Sequence, residues 1–234
     1  MPGIRQRIII ARRYPVYIRT RDTIKNICEH AMHAHGYRRQ DQMPTRWGFG
    51  VRARRVGPQH FYQVEEIILG SADPEIAETI AAVTAEDLCE PNAVPGAGLV
   101  IKEANIVPDT PWLPTPAAQF LTVSPIRVLA GHHQTILTPG AEWEAAINRT
   151  MTARFGWPFA LRVQPDSLYV RRRKGEIVAR MAIKVGPEGQ VRVYPGIVMP
   201  IVLSGPPTDI ATAWYSGLGG STGMGFGCLD LLPL

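Results

Sequence analysis

Residues 216–227 read Ser-Gly-Leu-Gly-Gly-Ser-Thr-Gly-Met-Gly-Phe-Gly, six glycines in one short stretch. Glycine enters the left-handed backbone region freely and lets other backbone come close, so this segment can turn tightly and bring N–H groups against an anion. What flanks it decides the fold class. Ahead of it, 208–216 carries a helical pattern with Trp214 and Tyr215; behind it, 226–232 is apolar and strand-like. A dinucleotide fingerprint runs strand, glycines, helix, which is the reverse order, and a Walker A loop needs a Gly-Lys-Ser/Thr that is missing. A doubly wound nucleotide fold is disfavoured. The alternative to an anion cradle is a turn that simply packs closely.

Outward from this loop the chain reads as short elements, punctuated by 22 Gly and 21 Pro. Apolar β-formers at 8–10 and 16–18 flank Pro15. A helix is expected over 23–35, with Asp22 as N-cap, Gly36 past its end, and Ile24, Ile27, Cys28, Ala31 and His35 on one stripe. Strands at 47–54 and 61–69 precede an acidic helix over 74–88, begun by Asp73 and Pro74. The Pro-rich stretch 90–116 holds a strand-like run at 99–106. Near 118 the pattern restarts. A strand over 120–129, interrupted by Pro125, leads to a helix over 141–155 with Trp143, Ala146, Ile147 and Met151 inside. Strands follow at 160–163, 168–173, 177–185, 190–193 and 197–203, with a turn at 186–189. There is no sequence repeat, yet the order suggests two β-α-β-β-type halves. The expectation is an α+β chain with domains over 1–117 and 118–234.

Composition removes other classes. With 45% hydrophobic and 19% charged residues the chain is not disordered. No run of about 18 apolar residues offers a membrane span, and the basic N-terminus lacks the apolar core of a secretory signal. Cys28, Cys89 and Cys228 lie far apart with no CxxC, which points to a reducing cytoplasm and against a disulfide framework or zinc site. The net charge of +5 hides three zones: +10 over residues 1–56, −9 over 57–110 and +4 over 111–234. The cations are 21 Arg and 4 Lys. Arginine is planar, weakly hydrated and suited to bidentate phosphate contacts, so the N-terminal quarter reads as a nucleic-acid footprint. A solvated basic face or codon bias is the plainer alternative.

Gly-Pro-Pro at 205–207, the helix with Trp214 and Tyr215, and the run GLGGSTGMGFGCLDLL from 217 resemble the C-terminal signature of CRISPR repeat-cleaving endoribonucleases of the RAMP superfamily. Ser124-Pro125-Ile126 is similar to that family's mid-chain stretch, and the compact, arginine-rich chain is reminiscent of its type IV branch. The resemblance is close over the last ~30 residues, looser over the second half, and a matter of element order in the first. It implies two tandem ferredoxin-like domains with a C-terminal glycine-rich loop. It also implies cleavage of precursor CRISPR RNA within its repeat without metal or other cofactor, retention of the guide, and partnership with other effector subunits.

Metal-free RNA cleavage uses the ribose 2′-OH against the adjacent phosphate, leaving a 2′,3′-cyclic phosphate and a 5′-OH. It needs in-line placement, a proton acceptor, a proton donor for the leaving oxygen, and cations for the phosphorane charge. Histidine suits the proton work. His33, facing away from the apolar stripe, is the first candidate and His30 the second, beside Tyr37, Arg38 and Arg39. His35 falls on the buried side; His132 and His133 sit in an apparent loop. A surface role is the alternative for each. Arg21 and Arg38 could form an arginine-only site that orients the phosphate and stabilises the transition state.

Arg171, Arg172, Arg173 and Lys174 are expected to end a strand in a hairpin, as a clamp on an A-form RNA backbone or as a solvated turn. Arg46, Arg52, Arg54 and Arg55 surround Trp47 and Phe49, which either stack bases or fill the core. Gly219, Gly220, Ser221, Thr222, Gly223 and Gly225 are the expected RNA cradle. The acidic helix should lie away from that cleft or at a protein interface. Rival readings are a non-catalytic RNA-binding scaffold and a mononucleotide-binding enzyme.

Overall fold

The computed structural model describes residues 3–13, 16–18, 22–38, 43–56, 62–89, 101–109, 112, 114–130, 134–185 and 190–232. Arg21, Arg39, His132, His133 and the turn at 186–189 lie outside them.

The first sheet contains β1 (Ile4–Ile10), β2 (Val16–Ile18), β3 (Trp47–Arg55), β4 (Tyr62–Ser71) and β5 (Ala104–Pro108). β3 pairs along the whole of β4. The other edge of β4 takes first β1 and then β2, so these two form one interrupted column. β5 closes the far side of β1. Every pairing is antiparallel, and the columns run β3, β4, β1, β5. Between the strands lie α1 (Asp22–Ala34), α2 (Pro74–Ala82) and α3 (Ala85–Leu88). α1 forms because Ile24, Ile27, Cys28, Ala31 and Met32 make a buried stripe, and it ends at Gly36, whose φ is +93°. The expected single acidic helix is two. Asp73 caps the first and accepts from the amides of Glu75 and Ile76. Thr84 then exchanges hydrogen bonds with Asp87 in a capping box that starts the second.

The second sheet runs β11 (Leu229–Leu231), β6 (Ala117–Thr122), β10 (Ile201–Ser204), β7 (Arg162–Pro165), again all antiparallel. α4 (Ala141–Phe155) joins β6 to β7, and α6 (Pro207–Ser216) joins β10 to β11. Between β7 and β10 the chain inserts α5 (Ser167–Arg172) and an antiparallel ribbon of β8 (Val178–Val185) and β9 (Gln190–Ile197). Leaving out β2, α3 and this insertion, both halves read β-α-β-β-α-β with columns in the order fourth, first, third, second. That is the ferredoxin-like arrangement, present twice. The described residues contain no helix long and apolar enough to cross a membrane.

A further expectation needs correction, and one open alternative is decided. The expected strand 168–173 is instead the helix α5, Ser167–Arg172, followed by a turn: the Asp166 carboxylate accepts from the amides of Leu168 and Tyr169, both at 2.9 Å, and nucleates it. Trp47 and Phe49 are 0% and 1% exposed and stacked on each other inside the first core, so these rings are not available to bases.

The alternate residues of β3 explain how the halves meet. Gly48, Gly50 and Arg52 face the second half. A Cβ on Gly48 would stand 2.5 Å from the Ser216 carbonyl oxygen, and one on Gly70 2.5 Å from that of Tyr215. The end of α6 lies directly on this bare strip of the first sheet. Around it Arg5 bonds the Trp214 carbonyl (2.8 Å) and pairs with Asp109 (2.9 Å). Arg7 bonds Glu66 (3.0 Å) and Asp230 (2.7 Å), and Arg52 reaches Asp230 and Glu66.

Candidate functional site

The end of α1 gathers three of the expected residues. His33 is exposed, with its ring 5.6 Å from that of Tyr37. Arg38 donates to the carbonyls of His33 (3.0 Å), which also accepts from the Gly36 amide, and Tyr37 (2.8 Å), so the guanidinium is held at the end of α1. The Tyr37 hydroxyl accepts from Trp47 Nε1 at 3.0 Å. His30 is exposed one turn earlier. His35 instead contacts Asp87 at 2.8 Å, tying α1 to α3. Burial opposes ionisation of Asp87, but hydrogen bonds from His35 and Thr84 outweigh it and lower its pKa.

From Trp47 the hydrogen-bond path continues to the glycine loop. Thr222 Oγ1 donates to the Trp47 carbonyl at 2.7 Å and accepts from Arg154 Nη2 at 2.9 Å. The loop is wedged between the halves. Cβ atoms on Gly223 and Gly225 would stand 2.7 Å from Thr45 and 2.9 Å from the Phe49 ring, and Gly225, at φ +85°, is also in the left-handed region. The Ser-Pro-Ile stretch clamps it from behind: Ser124 Oγ accepts from the Cys228 amide, the Pro125 carbonyl from that of Gly227, and the Arg127 carbonyl from that of Gly220, each at 2.9 Å. Arg127 also bonds Ser221 Oγ (2.9 Å) and lies 4.8 Å over the Tyr194 ring, joining loop to ribbon.

Segment Pro44–Thr45 separates two concavities. One is bounded by Tyr37, Arg38, Arg46, Asp73 and Glu75. The other is bounded by Arg149, Thr150 and Ala153 of α4 and by Gly220, Ser221 and Thr222. The N-terminus of α2 therefore edges the first concavity, contrary to the expectation that the acidic helix would stand away; Arg46 pairs with Asp73 there at 3.0 Å.

Arg46 and Arg52 are committed to protein partners, Arg46 also donating to the Arg154 carbonyl. Arg54 is exposed and bonds Gln63; Arg55 is exposed. Arg171, Arg172, Arg173 and Lys174 are exposed at the end of α5, with the Arg173 guanidinium 5.8 Å over the Tyr169 ring. Arg154 was not anticipated. It is 4% exposed, and burial pushes its pKa down to about 9. The signal was present: an arginine three residues after Met151 on the stripe of Trp143 and Ile147.

The comparisons agree with this architecture. A protein described as a RAMP protein binding different RNA substrates superposes with a TM-score of 0.66 at 16% identity, covering 99% of each chain. The product of a Cas6-related gene from Pyrococcus furiosus gives 0.65 at 13%, covering 98% of each. A Cas6 product complex gives 0.60 at 11%, covering 99% of this chain and 100% of the other. No curated protein matches. The family model for the C-terminal part of CRISPR associated protein Cas6 matches residues 114–231, the whole second half from β6 through the glycine loop to β11. With that match and the doubled ferredoxin-like topology, the chain belongs to the Cas6 family of CRISPR associated proteins.

Proposed function

We propose that this chain is a metal-independent endoribonuclease that binds CRISPR repeat RNA, cuts precursor crRNA by attack of the ribose 2′-OH, and retains the product for an effector complex. The observation that carries this reading is the hydrogen-bonded path from Tyr37 through Trp47 to Thr222, which links Tyr37 and Arg38 on the first concavity, with the His33 ring 5.6 Å from that of Tyr37, to the glycine loop on the second. His33 serves as acid or base, with His30 as second candidate. Arg38, with Arg21, stabilises the phosphorane charge, since a guanidinium stays protonated and offers a planar fork to phosphate oxygens. Tyr37 orients the histidine ring. Of the loop, Gly220, Ser221 and Thr222, which line the second concavity, seat the RNA backbone, and the cations at the end of α5, with Arg39, Arg54 and Arg55, extend its path. Domains over 1–117 and 118–234 are part of this reading.

The test is cleavage of CRISPR repeat RNA in EDTA. The expected products carry a 2′,3′-cyclic phosphate and a 5′-OH, and a single 2′-deoxy nucleotide 5′ of the cut abolishes cleavage while binding persists. At saturating protein, so that binding losses do not enter, His33→Ala slows the single turnover by about 10²–10⁴-fold, and Arg38→Ala also slows it. A full-rate His33→Ala beside an inactive Arg38→Ala moves the chemistry to arginines. Tight binding without cutting leaves a scaffold; cleavage of the deoxy substrate or a strict need for Mg²⁺ ends the proposed mechanism.

A further inference from the structure

Arg154 uses all five of its N–H donors on neutral oxygens. Nε donates to the Thr45 carbonyl (2.9 Å), Nη1 to the carbonyls of Gly217 (2.9 Å) and Gly219 (3.0 Å), and Nη2 to the Ser216 carbonyl and Thr222 Oγ1 (both 2.9 Å). No carboxylate is among them. This differs from Arg5, equally buried, which is paired with Asp109 and stands 3.7 Å from Asp230. Among the described residues, the nearest acid along the Arg154 network is Asp73, and Arg46 already neutralises it. A buried charge is strongly disfavoured unless something of opposite sign answers it. A neutral donor could have bonded these carbonyls without that desolvation penalty. Among the described residues, the cleft that Arg154 floors, between Thr45, Arg149, Thr150 and Ser221, is lined by no acid.

We propose that Arg154 is a positioning residue of the RNA site. It turns the carbonyls of the glycine loop inward, and its missing counter-ion is a phosphodiester of the bound RNA seated in that cleft. With every donor taken, it does not touch the phosphate; it acts through its field and through the loop it shapes. Arg149, exposed one turn along α4, supplies direct contact. The inference rests on the RNA-binding reading above.

Thr150 precedes Arg154 by one helical turn on the cleft wall, where a carboxylate at i and a guanidinium at i+4 meet. Thr150→Glu therefore supplies the counter-ion from within. The expected result is a melting temperature raised by about 2–4 °C together with affinity for a cleavage-blocked 2′-deoxy repeat RNA weakened by at least about 10-fold, whereas Thr150→Gln does neither. Arg154→Met, where it folds, flattens the dependence of log K on log salt by up to about 0.7, the share of one phosphate contact on a single strand. Arg154→Lys keeps the slope and, with three donors for five acceptors, slows the saturating single turnover. A stabilised Thr150→Glu with wild-type affinity shows that no phosphate sits there. Weakened affinity without stabilisation shows that Arg154 is not the group being answered. Either result, or a folded Arg154→Met with wild-type salt slope, overturns the proposal. Absence of RNA binding by the wild-type chain overturns the function reading instead.

Discussion

Cys28 and Cys228 sit in opposite halves, and burial pushes their thiols up from 9.0 to about 12 and about 11. Such thiols are inert in the folded chain, because the thiolate is the nucleophile. At pH 8 a thiol reagent is expected to modify the half-buried Cys89 in the native protein, and the other two only upon unfolding. Equal rates at all three would contradict this burial. The same groups set an alkaline limit. A raised native pKa means that the folded state holds its proton more tightly, so the stabilisation is complete below pH 9 and is lost as pH rises toward 11–12. Arg154, held down to about 9, works in the opposite sense over the same window. The thiol contribution is therefore read as a difference. The stability gap between wild type and Cys28→Ala, from denaturant titrations, should narrow steadily between pH 9 and 12, and a constant gap would remove the thiol from the account.

At the scale of elements, the end of the six-residue α5 and the turn after it present Arg171, Arg172, Arg173 and Lys174 to solvent. Four adjacent like charges repel one another, and a polyanion relieves that repulsion. Replacing Arg171, Arg172 and Arg173 together by Ala is expected to weaken RNA binding and flatten its salt dependence with little change in melting temperature. Unchanged affinity and slope would make the cluster a solvated surface. The same element shows where sequence reading works and where it stops. Leu-Tyr-Val at 168–170 has strand-like composition, and composition misled; the local cap from Asp166 decided the helix. The full length of α4 was legible because its stripe and the terminal Gly156 agree. The glycine loop announced itself through composition alone. What it packs against did not: Arg154 carries no motif, and the inter-half faces of β1 and β3 are visible in sequence only as arginines and glycines at alternate positions, a pattern shared by any polar strand face.

For the whole molecule, the decisive feature is that the two sheets are joined by charge as well as by close backbone approach. Arg5, Arg7 and Arg52 face Glu66, Asp109 and Asp230, three cations against three acids, with Asp230 alone contributed by β11. Burial lowers the Arg5 pKa despite its acidic neighbours, whereas for Arg7 hydrogen bonds to Asp109, Asp230 and Glu66 outweigh desolvation and raise it. Arg52 is nearly half exposed, so water screens its share. Removing Asp230 leaves the other five groups in place with one cation unanswered, and loss of one partner from a buried cluster typically costs about 3–5 kcal/mol. Because the acid and its arginines lie in different sheets, that loss falls on their association. Asp230→Asn is expected to destabilise the chain by this amount in denaturant titration, and to convert a single calorimetric transition into two as the halves uncouple. The glycine loop would then lose the fixed wall that Phe49 and Thr45 provide, so RNA affinity should fall with it, at temperatures well below either transition. A variant within about 1 kcal/mol of wild type, melting in one step, would mean that the backbone contact of Gly48 and Gly70 with α6 holds the halves together without the ionic cluster.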